Sequence, residues 1–339
     1  MITSKDVAKL AGVSHTTVSR AFRGDSKIRP ETYERIMKIS RELGYVPNQI
    51  ASSLRQRKTK TVGLIISHGF NPLFLDITHF IETELSKYGY RLLISFDDED
   101  FSKQWNILQS LASAQVDVIL FTPLSHTEEQ RSQLLSWMQN SDIHFIQLVS
   151  DAFDDITSFR FDDEQGAYIG TRHLLSHGHR NILMIGGINR VAGYLRAYEE
   201  FACTPPFPYR DLTGKDESES LENIKKAILA QKPTAVFPIS TSLSSITYEV
   251  LSELGLRIPE DISFLAFDDD RWLQLLHISV IGHPNQALSG SIVREILSYE
   301  KASDGEIYPS STSFKPFLLE RSSVSDYTSN QILYKGENT

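Results

Sequence analysis

The chain has 339 residues, 40% of them hydrophobic and 23% charged, which is globular composition with length for two or three domains. Its single cysteine, Cys203, excludes an intrachain disulfide framework and suits a reducing compartment, with the thiol read as structural. The net charge of −9 divides unevenly: residues 1–60 carry 13 Lys and Arg against 5 Asp and Glu, and residues 61–339 carry 21 against 38, so a basic head precedes an acidic body.

The chain starts Met1-Ile2-Thr3-Ser4-Lys5-Asp6 and runs into a polar helix pattern without an apolar signal region, so the expected location is cytoplasmic. Thr3 or Ser4 caps the first helix, Asp6 sits near its positive end, and Val7, Leu10 and Ala11 form the expected buried stripe. Gly12 ends that helix and Ser14 caps a second, in which Val18, Ala21 and Phe22 point inward. The opposite face then holds Ser14, His15, Thr16, Thr17, Ser19 and Arg20, short donor-rich side chains of the kind that enter a major groove. Arg20 is the candidate for a bidentate guanine contact. A third helix begins at Pro30-Glu31, turns Ile36, Ile39 and Leu43 to one side, and stops at Gly44. Two short helices around a glycine turn, followed by a third, are helix-turn-helix grammar.

The series Lys5-Asp6-Val7-Ala8-Lys9-Leu10-Ala11-Gly12-Val13-Ser14, then Thr17-Val18-Ser19-Arg20, resembles the headpiece of the lactose-repressor (LacI/GalR) family, and so do Glu42 to Asn48 and Ala51 to Leu54. The resemblance implies a hinge helix over 49–56 capped by Asn48, with Ala51 and Leu54 on the DNA and Leu54 wedged into the minor groove. Arg55, Arg57, Lys58 and Lys60 beside it would face phosphates. Eight residues make a marginal helix alone, so the hinge is expected to order on DNA.

From Thr61 onward, apolar runs alternate with helical periods: Val62 to Ile66, Arg91 to Phe96, Val116 to Phe121, Phe145 to Val149, Ile182 to Gly186, Ala235 to Ile239 and Ile262 to Phe267. Alternation of this kind predicts doubly wound parallel sheets, and 61–339 is too long for one of them. None of the runs approaches the roughly 18 residues that span a bilayer, so no membrane partner is expected. Together with what the family resemblance implies, the fold class expected is α/β, an N-terminal helix-turn-helix headpiece followed by a two-lobed, periplasmic-binding-protein-like ligand domain. The divisions are 1–46 for the headpiece, 47–60 for hinge and linker, 61–323 for the two-lobed domain and 324–339 for a tail, either loose or contacting a second copy.

The resemblance extends over about 3–323 through Asn71-Pro72-Leu73-Phe74, Gly178-His179-Arg180-Asn181-Ile182, Pro259-Glu260-Asp261-Ile262-Ser263 and Glu320-Arg321-Ser322. It implies three chain crossings between lobes and a ligand cleft at the strand ends. Carried over residue by residue, His68, Phe74, Arg190, Asp268 and His283 line that cleft, although each could instead be a satisfied loop or core residue. Ser240-Thr241 stands where many relatives have Asn-Asp, and His283-Pro284 where relatives have Gln-Pro, so the ligand cannot be copied from any of them. His68, Arg190 and His283 together suit an anion such as a sugar phosphate.

The sequence holds no Gly-x-Gly-x-x-Gly, no Walker-type loop, no His-Glu-x-x-His and no Gly-x-Ser-x-Gly, so no enzyme, catalytic residue or cofactor is expected. His177 and His179 bracket a glycine in a turn and are not read as metal ligands. Asp97-Asp98-Glu99-Asp100 reads as a solvated loop, and Asp268-Asp269-Asp270 as a strand end feeding the cleft. The resulting expectation is a regulator that binds a near-palindromic DNA operator as a homodimer, under the control of a sugar or sugar phosphate. A transport-type sugar-binding protein would share the body but lack the basic head, and a regulator that has lost ligand response stays open.

Overall fold

The computed structural model describes residues 2–22, 26–46, 58–67, 71–187, 190–301 and 309–327. It divides into two compact units, 1–59 and 60–339.

The first unit holds helices α1 (Ser4–Ala11), α2 (His15–Phe22) and α3 (Pro30–Glu42). The Thr3 amide and hydroxyl both donate to Asp6 Oδ2, at 2.8 and 2.7 Å, which holds the Asp6 carboxyl below its ordinary range. Gly12, at φ +63°, turns the chain out of α1 in the left-handed region that favours glycine. Ser14 Oγ accepts from the Thr17 amide at 3.1 Å and so caps the start of α2. Val7, Ala8, Ala11, Val18, Ala21 and Ile36 form a small core, with Phe22 set edge-on to Tyr45 at 5.6 Å. Leu10 departs from the expected stripe and is 61% exposed. The face that packs on α2 and α3 is centred between Val7, Ala8 and Ala11, and the 100° step per residue carries Leu10 off it.

The second unit contains two sheets. The first has the order β10-β5-β4-β3-β1-β2, with β1 (Thr61–Ile66), β2 (Arg91–Phe96), β3 (Val118–Phe121), β4 (His144–Val149), β5 (Ser158–Phe161) and β10 (Ser311–Phe314), all parallel. The second has the order β11-β9-β8-β7-β6, with β6 (Ile182–Ile185), β7 (Ala235–Pro238), β8 (Ser263–Phe267), β9 (Ser279–Gly282) and β11 (Phe317–Leu319). Among the described residues, only β11 runs antiparallel, against β9, which departs from an all-parallel expectation. The seven apolar runs are all strands, whereas β5, β9, β10 and β11 were not read from sequence because they are short or polar. On the edge strand β2, Leu93, Ile94 and Phe96 are exposed.

Helices α4 (Pro72–Ser86), α5 (Phe101–Ser113) and α6 (Glu128–Gln139) flank the first sheet, and so does α12 (Asn285–Lys301), whose Leu288, Ile292 and Ile296 are buried with β1 and α4. Helices α7 (Asp163–Ser176), α8 (Val191–Glu200), α9 (Glu217–Gln231), α10 (Thr241–Glu253) and the short α11 (Arg271–Leu275) belong to the second. The chain therefore crosses between sheets three times: from β5 into α7, from β9 into α12, and from β10 into β11. Gly193 lets α8 lie directly on α7, since a Cβ there would stand 1.9 Å from the Glu164 carbonyl oxygen.

Two local readings need correction. Asp97 is fully buried rather than solvated, because Gln104 Nε2 donates to it at 2.7 Å and the Glu99 amide at 3.1 Å. The tail's first residues, 324–327, are fastened to the second lobe: the Ser325 amide donates to Ser263 Oγ at 3.1 Å and the Tyr327 amide to the His177 carbonyl at 2.8 Å. His179 completes that clamp, with one ring nitrogen 3.0 Å from the Ser325 carbonyl and the other 2.9 Å from Thr234 Oγ1. Burial pushes its imidazole down to about 4, so it stays neutral. Among the described residues, no helix is long and apolar enough to cross a membrane.

Candidate functional site

Two surfaces carry the chemistry expected from the sequence. In the first unit, Val18 and Ala21 turn inward, which leaves Ser14, His15 and Thr16 exposed at the start of α2 and Thr17, Ser19 and Arg20 half-buried along it. The Ser14 hydroxyl also meets the hydroxyls of Thr16, at 3.1 Å, and Thr17, at 2.8 Å, so the turn and the first helical turn form one polar surface. Asn48, Ala51 and Leu54 lie outside the described residues, as does most of the segment 47–60.

In the second unit, the C-terminal ends of the strands converge where the chain crosses between lobes. Asp268 follows β8, His283 follows β9, Asp163 opens α7 just after β5, Arg190 precedes α8, and Thr241 opens α10 after β7. Arg190 donates to Asp163 Oδ1 at 2.9 Å and to the Ile239 carbonyl, and its guanidinium lies 4.1 Å from the centre of the Phe267 ring. Asp268 accepts from His283 Nδ1 at 2.7 Å and from Thr241 Oγ1 at 3.3 Å. The His283 ring lies 4.2 Å from that of Phe161, and its buried Nε2 has no hydrogen-bond partner, with Asp163 Oδ1 at 3.9 Å.

Burial pulls the Asp268 carboxyl upward. The hydrogen bond and charge of His283, with Arg190 and Thr241, outweigh it and leave the group below its ordinary value. Asp268 also holds a left-handed backbone, φ +66°, which sets its side chain at the mouth of the strand instead of along the sheet. Its neighbours have separate tasks, since Asp269 pairs with Arg321 at 2.8 Å and Asp270 caps α11.

A cavity of about 520 Å³ is lined by Asp268, Asp270 and His283 together with Pro72, Asp76 and Phe80 of α4. A second, of about 400 Å³, opens at the ends of β1, β3 and β4 and is lined by Ser67, Phe74, Thr122, Ser125, Val149 and Ser150. Of the five cleft residues expected from sequence, Arg190, Asp268 and His283 thus form one connected network, Phe74 lines a separate cavity, and His68 lies outside the described residues. Asp163 was not anticipated. The alternation of Phe159 and Phe161 marks β5 in retrospect, and a strand there would have placed Asp163 at its C-terminal end.

The chain as a whole is similar to known proteins. The profile of bacterial regulatory proteins of the lacI family matches residues 3–48, and that of periplasmic binding proteins and the sugar binding domain of the LacI family matches 59–275. The HTH-type transcriptional repressor PurR of Aliivibrio fischeri (strain ATCC 700601 / ES114) is 31% identical over 342 residues, covering 96% of this chain and 99% of the relative. The Lac repressor dimer bound to operator and the anti-inducer ONPF superposes with a TM-score of 0.79 at 20% identity, covering 96% of this chain and 99% of the other. The transcriptional regulator CelR in complex with cellobiose gives 0.66 at 22% identity, covering 95% and 100%.

Proposed function

This chain belongs to the LacI family of bacterial transcriptional repressors, and on that premise we propose that it is a homodimer that grips a near-palindromic operator and releases or tightens it in response to a small hydroxyl-rich ligand. The observation that carries the ligand half of this reading is the network of Arg190, Asp163, Asp268 and His283 at the strand ends. A sugar needs both fixed acceptors and fixed donors for its hydroxyls, and Asp268 and Arg190 supply one of each beside the partnerless Nε2 of His283. Asp163 balances the charge of Arg190 and Asp268 adds a second carboxylate, so the network has no surplus cation for a phosphate. That favours a neutral sugar over the sugar phosphate suggested by residue type alone. A purine base is the second reading, favoured by the full-length relationship to PurR repressors.

On the DNA side, Ser14, His15, Thr16, Thr17, Ser19 and Arg20 would meet base edges and phosphates in the major groove. Asn48, Ala51 and Leu54 would serve the hinge and its minor-groove wedge. Leu93, Ile94 and Phe96, exposed on one edge strand, offer apolar surface for a second copy.

A thermal-shift screen of sugars, sugar phosphates and purine bases identifies the ligand, since one present at 100 times its Kd adds about 2.7 kcal/mol to the native state. Calorimetry with that ligand on Arg190→Ala and Asp268→Ala should then show at least a tenfold loss of affinity in each. Unchanged affinity in both would remove this network from the site. A ligand acts on the operator only through its differential affinity for two arrangements of the protein, so operator titrations with and without it complete the test.

A further inference from the structure

The C-terminal half of α7 carries chemistry that the repressor reading does not use. His173, in the last turn of α7, and His177, the residue that caps its C-terminal end, stand four residues apart with their ring centroids 4.4 Å from each other. Glu320, which leaves β11, brings a carboxylate to the same place, and one ligand atom from each of the three lies within 4.8 Å of the others. His177 Nδ1 sits 2.9 Å from the His173 carbonyl oxygen. A carbonyl can only accept, so that nitrogen carries the proton and Nε2 is left with its lone pair. Backbone carbonyls orient metal-bound imidazoles in the same way. His173 is 9% exposed, and its Nε2 is buried without any hydrogen-bond partner. A pair of histidines packed only for structure would leave that nitrogen buried without compensation for its lost water.

We propose that His173, His177 and Glu320 form a site for a divalent transition-metal ion of the zinc class, which ties the end of α7 to the chain leaving β11. Two imidazoles and one carboxylate make a three-ligand set with a fourth position for water, and imidazole favours zinc, copper or nickel over magnesium or calcium. Metal-ligand bonds of roughly 2.1 Å place tetrahedral ligands about 3.4 Å apart, so the set has to close by at most about 1.4 Å. Glu320 is exposed and can close that gap by rotating its side chain. Ten residues of helix separate His173 from Asp163, roughly 15 Å, so the ion would brace the second lobe at a distance from the ligand network instead of competing for it.

The full-length protein, stripped with a chelator, is titrated with Zn²⁺ against a chromophoric competitor and separately with Co²⁺ for visible absorption. Wild type should bind one tight ion per chain and show the visible bands of a low-coordinate cobalt site. His177→Ala and Glu320→Gln, both at accessible positions, should lose at least the roughly 10–100-fold that removal of a second-shell partner alone costs. They should also lose the cobalt bands and the rise in unfolding temperature with Zn²⁺, while His79→Ala, an exposed histidine on α4, should behave as wild type. Equal zinc affinity and equal cobalt spectra in wild type and both site variants would overturn the proposal.

Discussion

At the scale of single residues, Asp268 decides most. It is buried, it bonds His283 and Thr241, and its folded carboxyl titrates below the ordinary value of 3.8. A carboxyl lowered by folding stabilises the native state above its unfolded pKa and loses that contribution as pH falls through the folded one. Asp268→Ala should therefore cost roughly 3–5 kcal/mol at neutral pH, because it leaves a buried imidazole without its partner. In urea unfolding, the gap between variant and wild type should stay level from about pH 7 to 5 and narrow only below the ordinary carboxylate value. A gap that closes already near pH 6 would contradict the assignment of this dependence to the Asp268 carboxyl. That Arg190, Asp268 and His283 stand at strand ends was legible because each lies in a recognisable run of neighbours. Their internal pairing was not, since Asp163 lies far away in sequence and its strand is four residues long.

At the scale of elements, caps and punctuation were the readable part. Gly12, Ser14, Pro30 and Gly44 bound these three helices as their conformational preferences require, and the seven apolar runs became strands, six of them largely buried and β2 exposed at the sheet edge. The edge of the face on which a short helix packs was less legible: of the expected stripe Val7 and Ala11 are buried, while Leu10 falls outside it and Ala8 takes its place. The polar or short strands β5, β10 and β11 have too little apolar periodicity to be seen without their sheet partners. The first unit rests on a core of only a few side chains, and Ile36 is fully buried in it. Ile36→Ala should cost about 2–5 kcal/mol, a large share of what so small a unit has. Calorimetry should show a lower-temperature transition for residues 1–59, an unchanged one for the body, and loss of operator binding with ligand binding kept. Loss of ligand binding in the same variant would contradict the independence of the two units.

At the scale of the whole molecule, the separation of charge along the chain organises function. A head with 13 Lys and Arg against 5 Asp and Glu can sit on phosphate, while the acidic body limits non-specific adhesion. Operator affinity should thus fall with salt, each neutralised phosphate adding a slope of roughly 0.9 in log K against log salt. The central claim, a dimeric repressor that reads sequence through α2, is tested most directly by selecting bound duplexes from a random DNA library with the full-length protein and sequencing them. The expected result is an enriched near-palindrome, with Arg20→Ala relaxing preference at one base pair in each half-site and costing about 1–3 kcal/mol. Absence of any enriched sequence, or an Arg20→Ala protein that selects the same site with the same preference at every position, would contradict it.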